Sequence, residues 1–141
     1  MIKAQMLKEI QSLFNKIAKS FDKKDAAGVV DPVLPDAVLL YLDGAALTIQ
    51  EWRRSARYDF SATQSMRSKF KVEKIDPAGR NAVVWYTETH EYFFKSNKKL
   101  KYRSINKWSS VLSKTSRGWK IRYFVQLSEG IKVTEEKPVK H

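Results

Sequence analysis

Apolar residues recur every three or four positions over the first twenty residues of the chain. The recurring positions are Ile2, Met6, Ile10, Leu13, Phe14, Ile17 and Phe21. This spacing is typical of a surface helix that buries one apolar stripe. A shorter helix is predicted from about Asp25, and Pro32 and Pro35 limit its length because proline cannot continue a helix.

A third helix is indicated by a cap signature that follows a short apolar strand. The strand is AVLLYL at 37–42, and the Asp43-Gly44 pair after it is a turn signal. Thr48 and Glu51 in the string TIQE have the spacing of a capping box, in which each side chain accepts a hydrogen bond from the other residue's backbone N–H. The helix is therefore predicted to run from residue 49 to about residue 62.

The hydrophobic period changes from helical to alternating after residue 65. Four segments are typical of strands, and turn-forming stretches separate them: MRSKFKVEKI, AVVWYTETHEYFF, LKYRSINKWSSVLSK and WKIRYFVQLS. Helices followed by an antiparallel meander indicate an α+β domain with its helices on one face of a curved sheet. We expect a single domain over residues 1–130 and a flexible tail over residues 131–141.

The composition adds an excess of positive charge to this picture. The chain has 27 Lys and Arg against 15 Asp and Glu, which gives a net charge of +12. Such a surface favours acidic or phosphate-bearing partners, but it is also compatible with plain solubility. No apolar run approaches the ~20 residues of a membrane span, and the start of the chain lacks a signal-peptide pattern. We expect a cytoplasmic protein, or a periplasmic or secreted one if the chain is a trimmed mature form.

Residues that hold metals and nucleotides are scarce. The chain has no cysteine, and His90 is the one histidine before the last residue, so we do not expect a transition-metal site. The string HEYFF begins like the zinc motif HExxH, but it ends in Phe94 and lies in a predicted strand. The glycines form neither GxGxxG nor a P-loop, and GxSxG is absent. We therefore expect neither a metal nor a cofactor.

Three local strings and their order along the chain carry a family resemblance. They are FDKKDAAGVVDPVLPDAVLLYLDG, the helix opened by TIQE, and the closing pair AVVWY and RGWKIRYF. Over about residues 5–128 the chain resembles the nuclear transport factor 2-like superfamily, in particular its SnoaL-like branch. The resemblance implies a cystatin-like cone, in which three helices close over a strongly curved antiparallel sheet around a pocket. It also implies a homodimer through the sheet.

Alternation divides the strand at 82–94 into two faces, and the resemblance implies which face lines the pocket. The inward set would be Ala82, Val84, Tyr86, Glu88, His90 and Tyr92, followed by Tyr102, Ser104, Asn106 and Trp108 in the next strand and by Trp119, Ile121, Tyr123 and Val125 in the last. The predicted pocket residues are Tyr41, Trp52, Tyr58, Tyr86, Glu88, His90, Asn106, Trp108 and Tyr123. Such an aromatic lining suits a small hydrophobic or aromatic molecule.

Three residues are candidates for acid–base catalysis. Glu88 and His90 share a strand face, and a carboxylate beside an imidazole can tune it as a general acid or base near neutral pH. Asp43 follows the first strand, near the pocket mouth of the resembled family, although an Asp-Gly pair is also an ordinary turn. No catalytic set of the family transfers intact, so the sequence leaves open whether the protein is an enzyme.

The opposite strand faces are basic. They carry Arg67, Lys69, Lys71, Lys101, Arg103, Lys107, Lys120 and Arg122. This face could be an ordinary solvated surface or a docking surface for an acidic protein or a nucleic acid. Three functions follow from the sequence: a small-molecule-binding protein first, an acid–base isomerase, dehydratase or cyclase second, and an interaction module third.

Overall fold

The chain begins with helices and ends with strands, as its change of hydrophobic period predicts. The structure, a computed structural model, describes residues 3–135. The helices are α1 (Lys3–Asp22), α2 (Ala26–Val30) and α3 (Ile49–Ala62). The strands are β1 (Val33–Leu40), β2 (Ala46–Thr48), β3 (Thr63–Ala78), β4 (Asn81–Phe94), β5 (Asn97–Thr115) and β6 (Gly118–Glu135). The predicted α+β class, with three helices packed on a curved sheet, is confirmed.

The helices form where local chemistry predicts them. The apolar stripe of α1 is buried, with Met6, Ile10, Phe14, Ile17, Ala18 and Phe21 in the core. The Asp25 side chain caps α2 by accepting a hydrogen bond from the backbone N–H of Gly28. The capping box of α3 is present in both directions between Thr48 and Glu51. None of these helices is long and apolar enough to cross a membrane within the described residues.

All six strands form one sheet, in the order β2-β1-β6-β5-β4-β3. Strands β3 to β6 are an antiparallel meander, as predicted, and Gly79 and Gly118 take positive φ angles of 62° and 96° in its turns. Strand β1 pairs with β6 in parallel, and β2 pairs antiparallel with β1. The helices cover the concave face, and the hydrophobic core lies between them and the sheet.

A bulge in β6 corrects one part of the predicted register. Of the six predicted inward residues of β4, four are buried, whereas Glu88 and Tyr92 are partly exposed. In β6 the alternation holds through Ile121, but the pairing with β5 shifts by one residue at Arg122. Beyond this bulge Phe124 and Gln126 are buried, whereas Tyr123 and Val125 turn outward. The inward prediction for Tyr123 and Val125 therefore fails.

The last strand is longer than the sequence pattern predicts. It continues to Glu135, and residues 131–135 pair with the first half of β5. Part of the segment that we expected to be a flexible tail is thus a strand, because β5 itself extends to Asn97 and provides a partner. The rest of that segment, residues 136–141, lies outside the described residues.

Helix α1 is bound to the free edge of β3 by side chains. The Gln11 amide nitrogen donates to the carbonyl of Phe70 at 2.7 Å, and its oxygen accepts from the backbone N–H of Val72 at 2.9 Å. Farther along the same edge, the Asp22 carboxylate accepts from the backbone N–H of Ser68 at 2.6 Å. These bonds fix the helix over the concave face and close one side of the space beneath it.

Candidate ligand-binding site

The cone encloses a cavity of about 380 Å³ between the helices and the concave face of the sheet. This volume lies within the range of about 300–1,000 Å³ that is usual for small-molecule sites. Eleven of the lining residues are aromatic: Phe14, Phe21, Tyr41, Trp52, Phe60, Phe70, Tyr86, Tyr92, Phe94, Trp108 and Phe124. The arrangement offers an apolar enclosure for a ring-bearing molecule.

Most of the predicted pocket residues line this cavity. They are Tyr41, Trp52, Tyr86, Glu88, His90, Asn106 and Trp108. Tyr58 and Tyr123 do not reach it. Tyr58 is 76% exposed, because the inward stripe of α3 runs through Ala56 and Phe60 and leaves residue 58 on the solvent side. Tyr123 is 37% exposed on the outer face of the sheet, as a consequence of the bulge at Arg122.

The cavity also has wall residues that the sequence analysis missed. Asp59 is seven residues after Trp52, so helical spacing would have placed both on one face of α3. Gln126 and Glu129 of β6 also line the cavity. No sequence signal points to them, because their positions follow register shifts that are defined only against β5.

A hydrogen-bond network centred on Glu88 forms the polar part of the wall. The Trp108 indole donates to Glu88 Oε1 at 3.0 Å, and the Asn106 amide donates to the same oxygen at 3.4 Å. Glu88 Oε2 lies 3.1 Å from His90 Nε2. The Asn106 oxygen in turn accepts from Gln126 at 3.1 Å. The network thus joins β4, β5 and β6, and the cross-strand pairing of Glu88 with Asn106 brings its members together.

His90 is held through both of its ring nitrogens. Nδ1 lies 2.6 Å from the Ser68 hydroxyl, while Nε2 faces Glu88, and the ring packs 4.6 Å from that of Phe21. A neutral imidazole with its proton on Nε2 satisfies both contacts, since it accepts from Ser68 and donates to Glu88. The residue is 8% exposed. His90 therefore has no ring nitrogen free for a ligand unless one of these contacts is broken.

The phenol groups of the cavity remain protonated at neutral pH. Burial, together with the negative charges of Glu88, Asp59 and Asp43, raises the pKa of Tyr41 to about 12. Burial also raises the pKa of Tyr86 well above its ordinary value, although its hydroxyl hydrogen-bonds that of Ser110 at 3.1 Å. Both side chains can therefore act as hydrogen-bond donors in the cavity but not as phenolate bases.

Two carboxylates, those of Asp59 and Glu129, complete the polar wall. Burial raises the pKa of Asp59 above its ordinary value. The pKa of Tyr92 is raised by burial and then by its acidic neighbours Tyr102, Asp59 and Glu129. Asp59 and Glu129 thus place two carboxylates on the cavity wall near Tyr92.

Asp43 lies outside the cavity. Its carboxylate accepts from the backbone N–H of Ala45 at 2.9 Å within the predicted turn, where Gly44 has a φ of 87°. The side chain lines a shallow depression beside Tyr41 instead of the aromatic enclosure. Its contacts are those of a turn residue, and they do not support the predicted catalytic role. Among residues 3–135, no group of three His, Cys, Asp or Glu side chains could hold a metal ion.

Most of the predicted basic residues lie together on the outer face of the sheet. Two rows of exposed cations lie there on either side of β4: Arg67, Lys69 and Lys71 of β3, and Arg103 and Lys107 of β5. Glu91 of β4 lies between the cations at one end of the face and forms a 3.2 Å salt bridge with Lys101.

Two other basic residues have different positions. Lys120 lines a groove beside α1 and α2, and Arg122 donates from Nε to the Ser113 hydroxyl at 3.1 Å within the bulge. A further cation that the sequence analysis did not single out, Lys74, lies 4.9 Å from the centre of the Trp85 ring. The basic face is therefore narrower than predicted and belongs mainly to β3 and β5.

Comparison with known proteins identifies a matching family and solved structures with a similar fold. A family model described as a SnoaL-like domain matches residues 10–128. No curated protein matches the chain. The fold is similar to that of a provisionally assigned scytalone dehydratase from Novosphingobium aromaticivorans, with 10% identity, a TM-score of 0.79, and coverage of 98% of this chain and 95% of that one.

Two further solved structures are similar. One is a provisionally assigned dehydratase of the NTF2-like family from Streptomyces avermitilis, with 13% identity, a TM-score of 0.68, and coverage of 89% of this chain and 96% of that one. The other is a domain of unknown function with a cystatin-like fold from Nostoc punctiforme, with 14% identity, a TM-score of 0.68, and coverage of 89% and 78%. Identities this low show a shared fold and carry no information about activity.

Proposed function

The chain belongs to the SnoaL-like domain family, and from this premise we propose that it binds a small hydrophobic or aromatic molecule in the cavity of its cone. The observation that carries the proposal is the aromatic enclosure of about 380 Å³. Transfer of an apolar ring from water into such a space is favourable, and a few fixed polar groups suffice to orient it. Tyr41 and the Glu88 network supply those groups.

The state of His90 supports binding more than catalysis. Both ring nitrogens are engaged, and Glu88 accepts from two other side chains besides contacting the imidazole. A proton-transfer group needs a free atom within hydrogen-bond reach of the substrate. The network has the features of a rigid wall that holds its shape around a ligand.

A neutral fluorescent probe tests the proposal. N-phenyl-1-naphthylamine brightens in apolar sites, and we expect saturable binding to the wild-type protein. Ala56 is buried in the cavity wall, so Ala56→Phe fills part of the space and is expected to weaken binding at least about tenfold, or 1.4 kcal/mol. Ala78→Phe, at an exposed position of β3, is the matched control. Equal affinity of the two variants would contradict the proposal.

An acid–base enzyme is the second candidate, and the 3.1 Å contact between Glu88 and His90 beside the cavity favours it. An isomerase, dehydratase or cyclase of this kind would use Glu88 to move a proton while His90 stabilises the carboxylate. Asp43 is left out of this candidate because its carboxylate is engaged by a backbone N–H in the turn.

Hydrogen exchange into a bound ketone tests the enzyme candidate. In D₂O, an enzyme with a general base in the cavity is expected to accelerate deuterium incorporation next to the carbonyl of 2-tetralone, as followed by NMR. Glu88→Gln would then lower the rate by about a hundredfold or more, whereas Tyr58→Phe, outside the cavity, would leave it unchanged. A wild-type rate equal to that of buffer counts against this chemistry.

We also propose that two copies associate through the β6 side of the outer face of the sheet, away from the cations of β3. Ile105, Tyr123 and Leu127 are large apolar residues of β5 and β6 that are 37–48% exposed. Like charges oppose contact between two copies over the β3 side. Light scattering is expected to give the mass of a dimer for the wild type and of a monomer for Tyr123→Lys. A wild-type monomer would refute the proposed dimer.

A cytoplasmic location remains a prediction from the sequence.

A further inference from the structure

The cavity has a charge opposite to that of the chain as a whole. The chain has 27 Lys and Arg against 15 Asp and Glu. None of the described residues that line the cavity is a lysine or an arginine, whereas three are carboxylates: Asp59, Glu88 and Glu129. A protein with nearly twice as many cationic as anionic side chains thus has a cavity whose lining includes carboxylates but neither lysine nor arginine.

The three carboxylates differ in how far other side chains engage them. Glu88 is fully engaged by Trp108, Asn106 and His90. Among residues 3–135, by contrast, no hydrogen-bond or salt-bridge partner contacts the side chain of Asp59 or Glu129. Both residues are exposed to solvent at the cavity wall, so their carboxylates are free to contact a ligand that brings a positive charge.

Aromatic faces stand beside the unpaired carboxylates. Tyr92 lies close enough for Asp59 and Glu129 to raise its pKa. Its ring stacks on that of Tyr102 at 5.4 Å, and Phe94 packs against Tyr102 at 4.9 Å. Aromatic faces combined with carboxylates attract organic cations, since the ring face carries partial negative charge.

We propose that the ligand of the cavity carries a positively charged nitrogen, a protonated amine or a quaternary ammonium, on an aromatic or hydrophobic body. Asp59 and Glu129 would contact the charge while the body fills the aromatic enclosure. The inference rests on the proposed function, because it concerns the ligand of the same cavity. The net charge of +12 does not oppose it strongly, since surface charges are screened beyond about 8 Å at physiological ionic strength.

Three ligands of one ring system test the charge preference. They are 2-naphthylmethylamine, which is cationic at pH 7, the neutral 2-naphthalenemethanol and the anionic 2-naphthoate. Calorimetric titration at physiological salt is expected to show the amine binding about tenfold more tightly than the alcohol. The carboxylate is expected to bind most weakly. The amine's advantage should shrink as salt is raised.

Two double variants distinguish the effect of the cavity carboxylates from that of the protein's net charge. The double variant Asp59→Asn with Glu129→Gln is expected to remove most of the tenfold preference for the amine over the alcohol. Asp36→Asn with Asp76→Asn changes the net charge equally at exposed positions outside the cavity wall, and it should keep the preference.

The outcomes distinguish the two proposals. If none of the three ligands binds, the proposed function fails and this inference with it. If the alcohol binds as tightly as the amine, or if the cavity double variant keeps the amine's advantage, the charge inference is overturned while binding in the cavity stands.

Discussion

Glu88 is the side chain on which the polar wall of the cavity depends, because it connects two strands through several donors. Trp108 and Asn106 of β5 donate to one carboxylate oxygen, and His90 of β4 faces the other. These groups are largely buried, so a missing acceptor would leave donors without water or protein partners. Each such donor costs about 1–3 kcal/mol.

Two substitutions of Glu88 are expected to differ in stability. Glu88→Ala should lower the free energy of unfolding by about 3 kcal/mol, because it leaves the indole and the imidazole without an acceptor. Glu88→Gln should cost about 1 kcal/mol, since its oxygen still accepts from Trp108 and its amide can donate to the other tautomer of His90. Urea denaturation at pH 7 measures both, and equal losses would contradict the role given to the network.

A second prediction concerns Asp59, whose raised pKa determines whether its substitution increases or decreases stability. Burial makes the folded state hold this proton more tightly than the unfolded state does. The stability that the folded state gains by binding this proton is therefore fully present below about 3.9, the pKa of Asp59 in the unfolded chain. It is lost as the pH rises through the higher pKa of Asp59 in the folded protein. Asp59→Asn should raise the free energy of unfolding at neutral pH by roughly 0.5 kcal/mol, after allowance for solvent screening.

The pH profile of unfolding distinguishes this cause from a general effect of the substitution. The gain from Asp59→Asn should shrink as the pH is lowered towards about 3.9. Asp76→Asn, at an exposed position, is the control and should give no comparable gain. A gain for Asp59→Asn that is the same at all pH values would show that the buried charge is not its source.

Among the elements, those with local causes can be predicted from the sequence. The capping box of α3 involves Thr48 and Glu51 alone. Alternation divides β4 into two faces, and the family resemblance indicated which face is buried. The pairing of β1 with β6 and the short strand β2 depend on contacts between distant segments, so no local pattern indicates them. For the same reason, the bulge at Arg122 is invisible in the sequence, and Phe124 was missed as a wall residue.

Deletion of Arg122 tests the bulge directly. Without the extra residue, the alternation of β6 would run unbroken from Ile121, with Tyr123 still outward and Phe124 still inward. We therefore expect the core contacts to be kept and the deletion to cost about 1 kcal/mol, for the lost hydrogen bond of Arg122. Arg122→Ala keeps the residue count and removes one hydrogen bond to Ser113, so it should cost about 1 kcal/mol. A much larger loss for the deletion than for Arg122→Ala would show that the bulge itself is needed for the pairing of β5 with β6.

Over the whole molecule, charge is divided between a basic outer face and an acidic cavity. Lys69 and Lys71 of β3 and Lys107 of β5 lie in two rows on either side of β4, and the sequence has no motif of nucleic-acid recognition. The exposed cations suit a partner that presents a line of negative charge. This interaction remains a proposal beside the cavity function.

Salt dependence tests the outer face. If it docks single-stranded nucleic acid, replacing Lys69, Lys71 and Lys107 by alanine should reduce the slope of log affinity against log salt by about two, since each contact contributes about 0.7. Replacing Lys3, Lys19 and Lys23 of the helical side by alanine makes the same change in net charge and should have a smaller effect. Equal reductions would indicate a diffuse field without a docking face.

The bonds between α1 and β3 affect how the protein behaves among copies of itself. The outer backbone groups of an edge strand are a template for strand addition, which is a route to aggregation. Gln11 and Asp22 occupy these groups along the middle of β3, and the opposite edge of the sheet is β2, which has only three residues. Helix α1 therefore protects the sheet from growth by added strands, and a substitution at Gln11 would affect solubility even though the residue lies outside the cavity.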